Sequence, residues 1–345
     1  MPKGNKLVKK LSYIIYKIIF FIDILFNKIT KRSILIWFKE FIEDDSYKTI
    51  NILNKKVNFF VPNQITQWRV ETFFTKEPET LEWIDSFNDN KKIIFWDIGA
   101  NIGLYSIYAA LKHSDIEITS FEPSTSNLRI LSRNISINKL EEKIKINQLP
   151  LTKDQNQYLM FEESEFIEGW SMNTFGAGLD FEGKSMQPKN RYKIFGTNIN
   201  YLIKNNILSI PNYIKIDIDG FEHLVLEGAS DYLDNSEIKS VSIEVNENFK
   251  KQFNNILRIM DKSNFRIKHK KHSSMVANSD NFSKIFNYVF IIEQIIANKF
   301  KGCFSKFRVS VISKIHYRKF CIFMRNVRFI MARYNNNFMV YKWIS

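Results

Sequence analysis

The sequence contains only two cysteines among its 345 residues, Cys303 and Cys321. Both lie near the C-terminal end, and neither belongs to a cluster of cysteines and histidines. Neither a disulfide framework nor a zinc site is therefore indicated. Because free cysteines are the rule in a reducing compartment, we expect a cytoplasmic protein.

An uninterrupted hydrophobic run long enough to cross a bilayer is also lacking. The least polar stretch, residues 11–26, is 16 residues long and is broken by Lys17 and Asp23. A transmembrane helix needs about 20 predominantly apolar residues. No small-residue cleavage site accompanies the stretch, so we do not expect a secretory signal.

The same region predicts an amphipathic helix, because its apolar residues recur every three or four positions. These residues are Leu7, Val8, Leu11, Ile14, Ile15, Ile18, Ile19, Ile22, Leu25, Phe26 and Ile29. In one interpretation the helix lies in a membrane interface, at the inner membrane surface. In the other it packs on the rest of the domain or on a second subunit, and both interpretations stay open here.

Acidic residues are absent from residues 294–345, which carry eleven Lys and Arg residues. Residues 1–42 carry nine, against Asp23 and Glu40. Because the net charge of the chain is +14, the middle is mildly acidic and both ends are basic. Basic ends attract anionic surfaces such as lipid headgroups. A competing explanation is an AT-rich genome, which enriches Ile, Lys, Asn, Phe and Tyr without requiring a partner.

The glycine-rich phosphate motifs are missing as well. Gly99 and Gly103 are separated by three residues, which does not fit the G-x-G-x-x-G motif that binds a pyrophosphate. A G-x-x-x-x-G-K-[ST] loop is absent. This spacing disfavours a nicotinamide-dependent dehydrogenase.

The region around these glycines instead predicts a strand, a turn, a helix, a second strand and an acid. Residues 91–96 and 116–121 predict buried strands, and residues 104–111 predict a helix. Asp97 follows the first strand, and Glu122 follows the second. Both acids are therefore expected at the carboxyl edge of a parallel sheet, where nucleosides bind.

The two acids favour a cationic nucleoside over a phosphate. Glu122 is placed to accept hydrogen bonds from both hydroxyl groups of a ribose. Asp97 would repel a phosphate but suits an ammonium group. S-adenosylmethionine combines a ribose diol, an ammonium and a sulfonium, and we predict it as the cofactor. The alternative is that Asp97 caps the following loop and Glu122 is a solvated strand end.

A third acidic segment follows another predicted strand, residues 213–216. It runs from Asp217 to His223, with Asp219 and Glu222 inside it, and leads into a predicted helix. A further strand is expected at residues 241–245.

With these motifs the chain resembles the FkbM-type methyltransferases, a branch of the class I S-adenosylmethionine-dependent enzymes. The family's D-x-G-A-N-x-G motif corresponds to residues 97–103, and its F-E-P motif to residues 121–123. Its K-I-D-[VI]-[ED]-G-x-E-x-x-V-L-x-G-A motif corresponds to residues 215–229. The resemblance covers roughly residues 69–292, and Asp219 stands where glutamate is commoner.

The resemblance implies an α/β protein with the Rossmann-like class I methyltransferase fold. That fold has a mostly parallel central sheet with helices on both faces, and here it carries basic N- and C-terminal extensions. The family transfers a methyl group, usually to a hydroxyl of a sugar, glycan or natural product, so a small-molecule or glycan acceptor is expected. The predicted cofactor-binding residues are Asp97, Gly99, Asn101, Gly103 and Glu122.

Two other functions remain as alternatives. A nucleic-acid methyltransferase would explain the basic ends, but the [DNS]-P-P-[YF] turn of amino-methylating enzymes is absent where Asp217 to Gly220 stand. We therefore expect no nucleic-acid partner. A non-catalytic, membrane-associated protein that retains the fold would fail to bind S-adenosylmethionine.

For a hydroxyl acceptor, the protein must align the reactants and remove a proton. The predicted catalytic residues are Asp217 and Asp219, and the other candidates for the base are Glu222, His223 and His272. We expect no metal. The alternative is an oxygen-rich Mg²⁺ site formed by Asp217, Asp219, Glu244 and Asn246.

The chain is predicted to comprise four segments. These are a basic amphipathic helical segment (1–45), a lead-in (46–90), the cofactor-binding methyltransferase domain (91–293) and a basic extension (294–345). Local patterns predict a hairpin at residues 47–62, a helix at 80–87, a third strand at 144–147, and a hairpin or ordered loop at 169–196 on the sheet rim. Ser124 to Ser126 and Thr197 are expected to cap helices.

Overall fold

The computed structural model describes residues 6–88, 90–176, 178–279 and 282–292, so the predicted extension 294–345 lies outside the described residues. The helices are α1 (Lys6–Thr30), α2 (Leu35–Asp44), α3 (Gln64–Glu71), α4 (Phe73–Lys76), α5 (Pro78–Asp85), α6 (Leu104–Lys112), α7 (Thr125–Ile137), α8 (Ile199–Lys204), α9 (Glu222–Glu227), α10 (Lys250–Lys262) and α11 (Ser274–Ala277). The strands are β1 (Tyr47–Ile52), β2 (Lys55–Phe60), β3 (Ile93–Ile98), β4 (Ile116–Phe121), β5 (Ile144–Asn147), β6 (Gln157–Glu163), β7 (Asn173–Phe175), β8 (Asn190–Gly196), β9 (Tyr213–Ile216), β10 (Ser240–Asn246), β11 (Phe265–Lys271) and β12 (Ile285–Ile292).

Seven strands form the central sheet, in the order β5-β4-β3-β9-β10-β12-β11. The pairs from β5 to β10 are parallel, whereas β12 runs antiparallel to both of its neighbours. The chain leaves β3 toward β4 on one side and later returns to β9 on the other. This mostly parallel sheet confirms the expected Rossmann-like class I methyltransferase fold.

Side chains of the central strands alternate between two apolar layers, as the period of two along a strand requires. Ile93 and Phe95 face the layer formed with α5, α6 and α7. Trp96 and Ile98 face the layer formed with α8, α9 and α10. Helices therefore cover both faces of the sheet, as expected, and the carboxyl ends of the strands form a crevice between the two layers.

The lead-in contains the predicted hairpin. β1 and β2 pair in antiparallel fashion across Leu53 and Asn54, whose φ values of 50° and 62° suit a two-residue turn. The backbone N–H of Phe60 donates to Oδ1 of the buried Asn134 at 2.8 Å. This bond joins the hairpin to α7.

A separate three-stranded sheet, in the order β7-β6-β8, follows β5. Its second and third strands along the chain lie within residues 169–196, where the sequence predicts a hairpin or an ordered loop. Strand β6 was not predicted. It pairs with β8 along its full length, from Gln157 opposite Gly196 to Glu163 opposite Asn190.

Two helix caps differ from the prediction. Asn198, not Thr197, caps α8, because its side chain accepts a hydrogen bond from the backbone N–H of Tyr201. The Thr197 hydroxyl instead bonds Asn156. Ser124 does precede α7 but makes no side-chain cap, because its hydroxyl donates to the buried Glu163 carboxylate at 2.6 Å.

The predicted N-terminal helix is present as α1 and is joined to α2 by a buried acid. Asp23 Oδ1 accepts hydrogen bonds from the Ser33 hydroxyl at 2.8 Å and from two backbone N–H groups at the start of α2. Glu43, near the end of α2, pairs with Arg129 and Arg133 of α7. Across the described residues, none of the helices has both the length and the apolar character needed to cross a membrane.

Candidate active site

A cavity of about 350 Å³ opens at the carboxyl edge of the central sheet, where β3 lies between β4 and β9. Of the seven predicted site residues, the cavity wall includes Gly99, Asn101, Glu122, Asp217 and Asp219. The other two, Asp97 and Gly103, are not among its described lining residues. The structure therefore brings both acidic segments to a single cavity.

The loop after β3 requires glycine at two positions. Gly99 has a φ of 86°, and a Cβ there would lie 1.8 Å from the backbone carbonyl oxygen of Asp217. Gly103 also has a φ of 86°, and its Cβ would lie 2.5 Å from a methyl group of Leu131. Positive φ strains any residue with a Cβ, and the close backbone approach at Gly99 leaves no space for one. The loop is thus held directly against the end of β9.

Asp97 lies beneath this loop and is fully buried. Its Oδ2 accepts a hydrogen bond from the Ser106 hydroxyl at 2.6 Å, and Ser106 lies 2.7 Å from the Ser120 hydroxyl. Burial raises the pKa of Asp97, although the nearby Lys215 ammonium acts in the opposite direction. Asp97 therefore connects β3, α6 and β4 and acts as a support for the loop.

Glu122 lies at the end of β4 and is buried against the cavity. One carboxylate oxygen accepts a hydrogen bond from the backbone N–H of Asn101, and the other from that of Ser124, both at 2.8 Å. Burial raises the pKa of Glu122 to about 7, even though these two bonds lower it. Its carboxylate is held by neutral donors and forms no ion pair with an ammonium or guanidinium of the described residues.

Asn101 links the glycine loop to the segment between β6 and β7. Its Nδ2 donates to the carbonyl oxygen of Trp170 at 2.9 Å, and Asn127 Nδ2 donates to the same oxygen at 3.1 Å. The backbone N–H of Gly169 in turn donates to Asn127 Oδ1. Asn101 Oδ1 is buried and has no partner within the described residues. The segment around Trp170 therefore forms one wall of the cavity, beside an unused hydrogen-bond acceptor.

The other acidic segment begins at the end of β9 with an ion pair. Lys215, which is only 2% exposed, lies 2.7 Å from Asp217 Oδ2. Asp219 has a φ of 59°, and its Oδ2 accepts a hydrogen bond from the backbone N–H of Met172 at 2.6 Å. Burial and the neighbouring Asp217 raise the pKa of Asp219 to about 6. Both predicted catalytic acids thus face the cavity and already have partners.

Glu222 supports the turn that carries these acids. Its Oε1 accepts hydrogen bonds from the backbone N–H groups of Ile218 and Gly220, at 3.0 and 3.1 Å, and Oε2 bonds Gln252. Burial raises the pKa of Glu222 to about 7. Since both oxygens are engaged, the geometry indicates a structural role.

The two candidate histidines are in different environments. His272 lines the cavity, and its ring stacks on Phe286 with centroids 4.1 Å apart. His223 is buried near Phe249 and does not line the cavity within the described part of the chain. Burial lowers the pKa of His223, which is typical of a neutral packed imidazole.

The structure adds Glu77 to the acids that the sequence predictions placed in the site. Carboxylate oxygens of Glu77, Asp217 and Glu244 all lie within 4.8 Å of one another. Glu77 precedes α5 and forms an ion pair with Lys76, whereas Glu244 lies in β10 and has no hydrogen-bond or ion-pair partner among the described residues. The signal available for Glu77 was its place before Pro78 at a helix start.

Neighbouring charges shift the pKa values of Glu77 and Glu244 in opposite directions. Burial would raise the pKa of Glu77, but the Lys76 and Lys215 ammonium groups outweigh burial and lower it. Burial, together with Asp217 and Glu77, raises the pKa of Glu244 well above its usual value. The three carboxylates are close enough together to hold a metal ion, but Lys76 and Lys215 already pair with two of them.

Comparison with known proteins gives a family for the central part of the chain. Residues 97–267 match the model of the methyltransferase FkbM domain. The curated protein methyltransferase sdnD of Sordaria araneosa is 35% identical over 80 residues, which cover 23% of this chain and 31% of that protein. The chain thus spans less than a third of this curated relative.

Similar solved structures include other methyltransferases. The methyltransferase FkbM of Methylobacillus flagellatus KT is 15% identical, with a TM-score of 0.41, and the match covers 66% of this chain and 52% of that one. The precorrin-6y C5,15-methyltransferase of Geobacter metallireducens GS-15 is 12% identical, with a TM-score of 0.36, and the match covers 72% of this chain and 95% of that one.

Proposed function

Because the chain belongs to the FkbM methyltransferase family through residues 97–267, we propose that it is an S-adenosylmethionine-dependent methyltransferase. Its proposed acceptor is a hydroxyl group of a sugar, glycan or natural product. The main supporting observation is a single cavity with Glu122 at the end of β4 and, in β10, Glu244, which has no hydrogen-bond or ion-pair partner among the described residues. One carboxylate suits a ribose and the other suits an acceptor hydroxyl.

The residues on the β4 side of the cavity fit the cofactor. The ionised Glu122 carboxylate can accept hydrogen bonds from both ribose hydroxyls, since each of its oxygens has a free lone pair. The unpartnered Asn101 Oδ1 offers an acceptor for an ammonium or amino group. Gly99 brings the loop backbone close to the cavity. Asp97 and Gly103 act in this proposal by holding the loop in place.

When bound, S-adenosylmethionine supplies an electrophilic methyl group on a sulfonium. The chain's contribution is to hold the acceptor oxygen in line and to remove its proton. In this proposal Glu244 is the base that accepts the proton of the hydroxyl group. Asp217 is less suited because it forms an ion pair with Lys215, and Asp219 because it already accepts a hydrogen bond from the backbone N–H of Met172. Asp217 and Asp219 then orient the hydroxyl. A cation in the cavity would favour the ionised form of Glu244, as a base requires.

The lining of the cavity also supports a hydroxylated acceptor. Carboxylates accept hydrogen bonds from hydroxyl groups, and the aromatic side chains of Trp68 and Phe181 offer flat apolar surfaces for a ring. Arg69 and Lys76 add donors. Much of the remaining wall is apolar or aromatic, so the cavity suits an acceptor that combines hydroxyl groups with an apolar ring face.

The proposal is tested first by cofactor binding. Mass spectrometry of the purified full chain should detect co-purified S-adenosylhomocysteine, and calorimetric titration should show saturable binding of it. Radiolabelled methyl transfer to sugars, glycans and small hydroxylated compounds, compared with RNA and DNA, then identifies the acceptor class. A chain that binds no S-adenosylhomocysteine would support the non-catalytic alternative instead, and label on nucleic acid alone would replace the proposed acceptor.

A further inference from the structure

The apolar side chains of α1 are exposed along the whole helix. Leu7 is 74% exposed, Ile18 56% and Ile29 83%. Other exposed apolar or aromatic side chains of α1 are Val8, Leu11, Tyr13, Ile14, Ile15, Tyr16, Phe21, Ile22, Ile24, Leu25 and Phe26. The neighbouring α2 adds Ile36, Trp37, Phe38, Phe41 and Ile42. Extended exposed apolar surfaces of this kind mark interaction sites in soluble domains.

The exposed residues of α1 divide into two faces. At 3.6 residues per turn, Leu11, Ile18 and Ile29 fall on one side of the helix, at the centre of a broad apolar face. Lys10 and Lys28 fall on an adjacent side, together with Lys17. A helix with a wide apolar face beside a row of lysines is the pattern of a helix that lies in a membrane interface.

Aromatic side chains lie around the lysine face. The Lys17 ammonium is 5.3 Å from the ring centroid of Tyr13, 5.9 Å from that of Tyr16 and 5.4 Å from that of Phe20. Aromatic rings with one polar end are enriched at the level of lipid headgroups. Their position here, next to a cationic side chain, is consistent with a boundary between acyl chains and headgroups.

The rest of the domain holds α1 by a third side of the helix. Asp23, which lies outside both faces, is the residue that accepts hydrogen bonds from the start of α2. α2 is in turn tied to α7 through Glu43 and Arg133. The attachment therefore leaves the apolar face and the lysine face available together.

Charge distinguishes three candidate surfaces for covering these two faces. Residues 294–345 of the same chain carry eleven Lys and Arg residues and no acid, so they would bring like charges to the lysine face. A second copy packed on α1 would bring the same lysines. An anionic bilayer alone among these three matches the apolar face with acyl chains and the lysine face with headgroups.

We propose that α1 binds an anionic membrane surface, with its apolar face in the headgroup–acyl boundary and Lys10, Lys17 and Lys28 among the headgroups. The site is distinct from the cavity, so its occupancy does not depend on the proposed methyl transfer. Each lysine close to an anionic surface is expected to increase binding about fivefold at low salt.

Co-sedimentation of the full-length chain with vesicles tests the proposal. Binding should require phosphatidylserine in phosphatidylcholine vesicles and should weaken steeply as salt is raised, because exposed charges are screened. Ile18→Glu should reduce binding more than tenfold, and Lys17→Gln about fivefold. The matched control is Ile207→Glu, at a residue outside α1 that is 52% exposed, and it should bind as the wild type does.

The other occupants give different results. Absence of vesicle binding, or binding that Ile18→Glu leaves unchanged, would overturn the proposal. In that case sedimentation velocity separates the remaining possibilities, because a dimer that Ile18→Glu dissociates indicates a second copy, and a monomer indicates cover by the chain's own residues. Binding of S-adenosylhomocysteine by Ile18→Glu should equal that of the wild type, which keeps this test independent of the proposed activity.

Discussion

The two sides of the cavity hold their acids in different ways. On the β4 side, Glu122 accepts hydrogen bonds from the backbone N–H groups of Asn101 and Ser124. On the β10 side, Asp217 and Glu77 are paired with buried or half-buried lysines. Glu244 lies within 4.8 Å of both acids and has no hydrogen-bond or ion-pair partner among the described residues. Glu122 is thus held by neutral hydrogen-bond donors, whereas the acids on the β10 side are surrounded by charged groups.

This difference suits the β4 side to binding the cofactor and the β10 side to accepting a proton. Backbone donors fix the position of Glu122 and leave lone pairs for a neutral diol, as a binding group needs. Close carboxylates and ammonium groups shift each other's proton affinities, so the β10 side is where a proton can be accepted. A fold of this type can therefore keep one side constant while the other side changes with its acceptor.

The largest expected effect is on the β10 side. Glu244→Gln should lower turnover about 10²–10⁴-fold, because it removes the proposed proton acceptor, while the affinity for S-adenosylhomocysteine stays close to that of the wild type. Asp217→Asn and Asp219→Asn should also lower turnover more than affinity. Single-turnover kinetics and calorimetric titration measure the two quantities separately.

Glu237→Gln is the matched control, because Glu237 is exposed and lies just before β10. Its turnover should equal that of the wild type. Normal turnover in Glu244→Gln would return the role of base to Asp217 or Asp219. A chelator should have no effect; activity that it abolishes and Mg²⁺ restores would favour the metal alternative.

On the β4 side, Glu122→Gln should weaken cofactor binding without unfolding the chain. The change removes charge-assisted hydrogen bonds to the ribose, worth about 1.5–3 kcal/mol, so the affinity should fall tenfold or more. Glu117→Gln, on the same strand but in an exposed ion pair with Lys92, is the control for calorimetry. Unchanged affinity in Glu122→Gln would remove Glu122 from the cofactor site.

The support beneath the glycine loop can be tested by stability. Ser106→Ala removes the hydrogen-bond donor to the buried Asp97 carboxyl and should lower the free energy of unfolding by about 1–3 kcal/mol. Ser132→Ala, in which an exposed hydroxyl is removed from α7, should change it little. Urea unfolding of both variants measures the difference, and equal stabilities would show that Asp97 does not depend on Ser106.

The smallest expected effect is a pH dependence of cofactor affinity. Burial raises the pKa of Glu122 to about 7, and the ionised carboxylate is the form that binds the ribose more strongly. Affinity should therefore fall as pH decreases through about 7, and it should be roughly tenfold weaker at pH 6 than at pH 8. Burial also raises the pKa of Asp219 to about 6 and that of Glu222 to about 7, so the contribution of Glu122 to the pH dependence is the part that Glu122→Gln removes.

Much of the sheet could be predicted because its strands are short and apolar between polar breaks. The predicted bounds of β4, β5 and β9 agree with the structure. The acids that follow them occupy the cavity for the same reason, since parallel strands bring their carboxyl ends to one edge. Sequence order alone was enough to place Glu122 and Asp217 in the same site.

Other parts of the site depend on contacts between distant segments. Lys76 ends α4 and Glu77 lies between α4 and α5; the position of Glu77 before Pro78 indicates a helix start but not its approach to the cavity. Trp170 accepts the hydrogen bond from Asn101 through its backbone carbonyl oxygen, and such a contact cannot be predicted from the identity of a side chain. Ser124 was expected to cap α7, but its hydroxyl donates to Glu163, which is distant in sequence. Only Lys215 left a clear signal, as a charged residue within an otherwise apolar strand.

The contact at Gly99 has a consequence for how this protein can diverge. Every other amino acid has a Cβ, and a Cβ at Gly99 would lie 1.8 Å from the Asp217 carbonyl oxygen. In a saturation library, the Gly99 codon should therefore accept almost no replacement. Positions such as Trp68 and Phe181, which line the cavity, should tolerate many. Sequences that diverge from this one would then keep the close contact between the Gly99 loop and the segment at Asp217, while the residues that contact the acceptor change.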